Sequence, residues 1–441
     1  MNNKKTPLVS DYFKSREPSV IRAAQIVFSQ RKKPPACINT AIGNVSLEMH
    51  PEMQKRMFNL KNCCNQSIRE GRVMYSSTSG MEETQNAFLN IIASGGFETD
   101  GLHVQITDGG SQAMEYVVLG ASGKFAGRER PILVFDPTYT NYPAMTERTR
   151  RSLVSTTREL RDDGNFTLPD FSEIQEKINI HRPSAMLVIP YDNPTGQFFD
   201  KEMMVNLARL SVKNNMWMVS DEAYRFLYYG KKQFTSIWGI TDKDVPGIEG
   251  RRISIDSASK IFNGCGLRIG AIITDNKQFH DKALFEGTSN LCAPLIDQHI
   301  FGALAHLDKK DLQNWYQKQR NHYQPMMQAL TDNMKKCLPG IIISKPEAAL
   351  YSVLDVKNIV KPGFDAMDFV MYSAKKGEIC VSGQSTTLLT APMAGFYNSK
   401  NGENNPGKTQ LRIAYVESPE KMALVPKLFK ELFYQFEAQR S

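Results

Sequence analysis

Six short apolar runs, separated by longer stretches with helical spacing, constrain this chain more than any other feature. They are Val104–Thr107 (VQIT), Pro131–Phe135 (PILVF), Ala185–Ile189 (AMLVI), Trp217–Ser220 (WMVS), Arg252–Asp256 (RISID) and Ala271–Thr274 (AIIT). A strand that is apolar on both faces must be covered on both faces. Short apolar strands alternating with helices therefore predict an α/β fold, a mostly parallel sheet with helices on both faces. The predicted helices among them include Gln112–Ala126 and Lys201–Asn214, with Arg56–Glu70 and the amphipathic Glu82–Ser94 ahead of the first strand.

The chain's 441 residues exceed what one core usually holds. A long helical pattern from Lys309 to Lys336 stops at Leu338-Pro339-Gly340. It is the expected link between a large domain over residues 50–310 and a smaller α+β domain made of residues 1–49 and 311–441. The latter carries strand-like Tyr351–Asp355 and Leu411–Val416 and a terminal helix near Lys421–Gln439.

Charge and cysteines exclude several classes. The net charge of +8 is spread along the chain in short runs such as Arg31-Lys32-Lys33, which does not describe a nucleic-acid surface. Seven cysteines form no C-x-x-C pair and no His/Cys cluster, so reduced thiols and no zinc site are expected. No apolar run approaches the length of a membrane span, and the first residues have no signal-peptide core. A cytoplasmic protein is the resulting expectation.

In an open parallel sheet, ligands bind at the carboxyl ends of the strands. The unusual polar residues fall there. Gly109-Gly110-Ser111-Gln112 joins a strand to a helix and presents backbone N–H groups to an anion. Tyr139 and Tyr142 follow another strand, in Pro137-Thr138-Tyr139-Thr140-Asn141-Tyr142. Asn193-Pro194-Thr195-Gly196 follows a third. Asp221 ends a fourth, with Tyr224 three residues on. After the fifth comes Ser257-Ala258-Ser259-Lys260, with Arg268 eight residues beyond the lysine. Arg412 lies inside the apolar run Leu411-Arg412-Ile413-Ala414. Singly, each has a plain explanation: a turn, a helix cap, a core aromatic, a solvated strand end.

Together, in this order, NPTG, DEAY, SASK with its arginine, and LRIAY resemble fold type I pyridoxal-phosphate enzymes, specifically the class I and II aminotransferases. The resemblance runs from about Ile42 to the C-terminal helix. It implies a ping-pong exchange of an amino group between an L-amino acid and a 2-oxo acid on pyridoxal 5′-phosphate. Lys260 would be the Schiff-base lysine and proton carrier, Asp221 the partner of the pyridine nitrogen, and Asn193 and Tyr224 the donors to the ring oxygen. Tyr139 would stack on the ring. Gly110, Ser111, Gln112, Ser257 and Arg268 would hold the phosphate, and Ala258 and Ser259 would be spacers. Arg412 and Gly43 would meet the substrate carboxylate, with Asn193 beside them. Tyr75, in the loop Val73–Gly80, would reach the phosphate of a neighbouring subunit, which implies a homodimer with shared sites.

Three departures stand out. Ser111 replaces a lysine that the bacterial aspartate branch can carry for a side-chain carboxylate. The segment after Gly43 (NVSLEMHP) differs from the family's usual acidic, proline-containing pattern. Asp136, ahead of Pro137, has no evident role. A lyase of the C–S lyase or cyclopropane-carboxylate-synthase type on the same fold is the alternative. The S-x-x-K of serine acyl transferases is also present as letters, but its companion motifs precede it instead of following it.

Overall fold

A computed structural model describes residues 7–63, 65–230, 233–381, 383–398 and 405–440. Its main sheet has seven strands: β1 (His103–Asp108), β2 (Ile132–Asp136), β3 (Leu153–Thr157), β4 (Ala185–Val188), β5 (Trp217–Asp221), β6 (Arg252–Ser257) and β7 (Ile269–Thr274). Their spatial order is β1-β7-β6-β5-β4-β2-β3, and β7 alone runs antiparallel to its neighbours. The six apolar runs of the sequence all became strands. β3 was not anticipated: in LVSTT only the fourth residue is buried, so this edge strand lacks the apolar signature of the inner ones.

The pleat explains why β4 and the first four residues of β2 are apolar throughout. Ile132 and Val134 of β2 enter one core with Ala113, Val117, Val219 and Ile255. Leu133 and Phe135 enter another with Met186, Met218 and Ile273. Successive side chains point to opposite faces, and helices cover each face.

Helix α1 (Gly109–Ala121) springs directly from β1. It was expected to start at Gln112 and to reach Ala126. Instead it stops at Ala121, and a hairpin pairs Gly123–Phe125 with Arg128–Arg130. The predicted helix 56–70 is broken into Pro51–Phe58, a single turn at Leu60–Asn62, and Gln66–Arg69. Asn59 and Asn65 interrupt it as caps, a competition that short polar side chains often win. Helix α2 (Lys309–Cys337) has 29 residues, close to the predicted span.

Beyond α2, a four-stranded sheet contains β8 (Tyr351–Asp355) paired antiparallel with β9 (Gln410–Ala414). A three-stranded sheet pairs Ala36–Asn39 in parallel with Gln384–Leu389, so early and late chain meet there. The last helix, α3 (Pro419–Ala438), is capped by Ser418.

Candidate active site

A cleft of about 840 Å³ opens at the carboxyl ends of β4, β5 and β6. Gly43, Gly110, Ser111, Tyr139, Asn193, Asp221, Tyr224, Ser257, Lys260, Arg268 and Arg412 all line it. Residues up to 369 positions apart in sequence are thus collected, most of them because they end or follow a strand, and Arg412 from within β9.

Lys260 sits three residues past β6, and its ammonium donates to the carbonyl of Gly43. A Cβ at Gly43 would lie 2.2 Å from the Tyr351 hydroxyl and 3.4 Å from Lys260 Nζ, so the cleft floor closes on the lysine only because glycine is there. Asp221 ends β5. Its carboxylate accepts from the Tyr142 hydroxyl at 2.5 Å and the Ala223 N–H at 3.1 Å. Burial raises its pKa above the ordinary carboxylate value, while those two donors pull it back. A cationic partner in the cleft would favour its ionised form.

Tyr224 is buried, its hydroxyl 2.6 Å from that of Tyr351. Tyr139 packs edge-on against Tyr142, with ring centroids 5.5 Å apart. Arg412 is only 3% exposed. It donates to Asn193 Oδ1 at 2.8 Å and the Ala41 carbonyl at 2.7 Å, and its Nε has no partner among the described residues. Its guanidinium carbon lies 4.3 Å from the Tyr351 ring centre and 5.0 Å from that of Phe396. A guanidinium fixed on two sides with a donor left over suits a carboxylate ligand.

The start of α1 closes one end of the cleft, where Gly110, Ser111 and Arg268 line it. Gly109 has φ +65° and donates to the Arg268 carbonyl at 2.9 Å. A Cβ on Gly270 would meet Gly109 C at 2.4 Å and Gly110 N at 2.5 Å, so β7 can pass this helix start only as glycine. Arg268 pairs with Asp108 at 3.3 Å. Ser257 Oγ and Ser259 Oγ are 2.8 Å apart, and both residues line the cleft. Ser259 is therefore part of the hydroxyl cluster, whereas the sequence made it a spacer. Ala258 is fully buried, as a spacer should be.

Two expected residues stand apart. Gln112 turns back, its amide oxygen accepting from the Asp108 N–H at 2.8 Å, and it lines an adjoining groove. Tyr75 is 79% exposed and does not line the cleft of its own chain. Tyr351 was missed, because a tyrosine opening an apolar strand reads locally as core.

Beneath the cleft lies a buried ionic cluster. Arg225 pairs with Asp256 at 2.8 Å and with Glu222, and Glu222 also accepts from the Ile237 N–H at 2.7 Å. These groups tie the carboxyl ends of β5 and β6 together.

The donor set fits pyridoxal 5′-phosphate: hydroxyls, an arginine and a helix N-terminus for a phosphate, a carboxylate for a ring nitrogen, and an amine between them. The profile of the family Aminotransferase class I and II matches residues 44–396. The chain belongs to this family. It is a pyridoxal-phosphate-dependent aminotransferase, moving an amino group between an amino acid and a 2-oxo acid. A probable aspartate aminotransferase of Methanocaldococcus jannaschii is 23% identical over 97% of this aminotransferase and 100% of its own length. The aspartate aminotransferase of Pyrococcus horikoshii is 25% identical over 82% and 84%. Among solved structures, an aspartate aminotransferase mutant from Thermus thermophilus superposes with a TM-score of 0.76 at 19% identity, covering 97% of this chain and 100% of that one. Bna3p, a putative kynurenine aminotransferase from Saccharomyces cerevisiae, gives 0.77 at 19% identity, covering 97% and 99%. The structural likenesses speak for the fold. Neither the profile nor these relatives supports the lyase alternative.

Proposed function

We propose that Lys260, Asp221, Tyr224, Asn193 and Arg412 carry the transamination, with Gly110, Ser111, Ser257 and Arg268 as the phosphate cradle and Tyr139 as the ring's stacking face. The observation that supports this is their convergence on one cleft around the Lys260 amine. When bound, pyridoxal 5′-phosphate supplies the carbonyl that takes the amino group and a ring that accepts electrons from the α-carbon. Arg412 grips the substrate α-carboxylate beside Gly43, presenting the α-carbon to the lysine. Lys260 Nζ then removes the proton from the donor's α-carbon and, in the half-reaction with the 2-oxo acid, delivers one to the acceptor's α-carbon. Asp221 holds a proton on the pyridine nitrogen. Asn193 accepts from Arg412 through Oδ1, which leaves its amide N–H groups to donate into the cleft together with the Tyr224 hydroxyl.

Lys260→Ala is the direct test. The variant should lose transamination entirely, and borohydride should no longer fix the cofactor to the peptide containing residue 260. Cofactor mass on a different lysine of the wild-type protein would overturn the assignment.

We take the donor to be an acidic amino acid. The relatives named above include aspartate aminotransferases, and Arg22 lines the cleft without a carboxylate partner among the described residues. That arginine could stand in for the lysine absent at position 111. A panel in which aspartate and glutamate react no faster than alanine sinks this choice.

The same reading makes the protein a cytoplasmic homodimer. Val73, Met74 and Tyr75 expose 57–79% of their surface, an apolar loop suited to a second copy. Six cysteines among the described residues are free thiols, in keeping with a reducing compartment. Domain boundaries near residues 50 and 310 are part of the proposal, supported by the main sheet falling wholly within 103–274.

A further inference from the structure

Asp136, left without a role by the sequence, closes β2 and is 1% exposed. Its carboxylate accepts from Ser155 Oγ on β3 at 2.8 Å, from the Asn398 N–H at 2.7 Å and from Asn398 Nδ2 at 2.5 Å. Arg158, the nearby cation, is committed elsewhere. It pairs with Asp192 at 3.1 Å and donates to the carbonyls of Phe135 and Pro137. Among the described residues the Asp136 carboxylate has no direct cation; burying such a group is expensive, and burial indeed raises its pKa. What it gains is a hold on one segment, residues 393–398.

That segment is fastened at both sides. Toward the substrate grip, the Met393 N–H donates to the Gln410 carbonyl at 3.0 Å and the Tyr397 hydroxyl to Gln410 Oε1 at 2.6 Å. Gln410 is two residues before Arg412 on β9. Toward the cofactor face, the Thr138 N–H donates to the Phe396 carbonyl at 2.8 Å, beside the two Asn398 bonds to Asp136. Thr138 immediately precedes Tyr139. Between the fastenings, the buried Phe396 ring lies 5.0 Å from the Arg412 guanidinium.

We propose that Asp136 is a positioning residue that buckles the Tyr139 loop to the 393–398 strap, fixing Phe396 against Arg412 so that the guanidinium meets the substrate carboxylate in register with the ring-stacking face. This rests on the assignment of Arg412 and Tyr139 made above. The buckle does not touch substrate. Releasing it lets Phe396 and Arg412 drift relative to Tyr139, and the loss appears in carboxylate binding. The chemistry at Lys260 is left in place.

The test uses the cofactor-loaded protein and four variants: Asp136→Asn, Asn398→Ala, the double variant, and Ser155→Ala. Ser155→Ala removes a bond to the same carboxylate without touching the strap. KM for the best amino donor should rise about tenfold in Asp136→Asn and Asn398→Ala, with kcat within about threefold; a full ångström of misplacement can cost about 10²-fold. The dissociation constant of 2-methylaspartate or 2-aminoisobutyrate, which lack the α-hydrogen, should rise by the same factor by calorimetry. The double variant should be no worse than either single one, because both release one buckle. Ser155→Ala should match wild type.

Unchanged KM in Asn398→Ala, additive losses in the double variant, or an equal loss in Ser155→Ala would each overturn the proposal. If Asp136→Asn fails to fold, Asn398→Ala and the calorimetric constant still decide it. A wild-type protein with no transamination would instead refute the site reading, and a wild-type protein with activity but unaltered variants refutes the buckle alone.

Discussion

Arg412 shows how one residue's environment sets its use. It is buried, stacked near two rings, and tethered by Asn193 and the Ala41 carbonyl, with Nε unpaired among the described residues. A lysine there would keep the charge and lose the planar fork. Arg412→Lys should cost about 1.5–3 kcal/mol of carboxylate binding, roughly 10- to 150-fold in kcat/KM, measured with the best donor. A change confined to kcat would show that the arginine does not hold the ground-state carboxylate. The sequence marked this arginine by placing a charge inside an apolar strand. Tyr351 carried no such mark. Its importance comes from three contacts, with Tyr224, Arg412 and the Gly43 turn, that are remote in the chain.

At the level of elements, the site depends on one close crossing. β7 passes the start of α1 with Gly270 against Gly109 and Gly110, and backbone atoms there cannot move aside for a methyl group. Gly270→Ala should push α1's first turn away and weaken cofactor binding at least tenfold, read by titrating the apo-protein with pyridoxal 5′-phosphate, because N-terminal amides bind anions only when correctly aimed. An unaltered affinity would mean the cradle does not use that turn. Inner strands were legible because burial on both faces leaves a core of apolar letters in each. The edge strand β3 and the broken helix at 51–69 were not, since exposed letters and competing caps carry little periodic signal.

For the whole molecule, the exposed Tyr75 has its meaning only in an assembly. If each site takes a tyrosine from its neighbour, two crippled proteins can repair one another. Lys260→Ala carries an intact Tyr75, and Tyr75→Ala carries an intact lysine. Mixing them under subunit-exchanging conditions should give activity well above the sum of the two, with light scattering reporting a dimer. A strictly additive mixture would show that the sites are self-contained. The three-stranded sheet joining Ala36–Asn39 to Gln384–Leu389 matters at this scale too: just past it, the Thr40 carbonyl accepts from the Ala414 N–H and the Ala41 carbonyl from Arg412, at the strand bearing that arginine.

The sequence alone determined the layered α/β fold and the order of polar residues at strand ends, and it singled out Lys260 for the proposed role. Each of these depends on local rules: period-two burial, turn chemistry and short-range spacing. Tertiary structure decided the rest. It turned Gln112 aside, recruited Ser259 and Tyr351, gave Asp136 its strap, and left Tyr75 facing outward. Those outcomes depend on which distant backbone arrives within hydrogen-bond reach, and no local pattern encodes that distance.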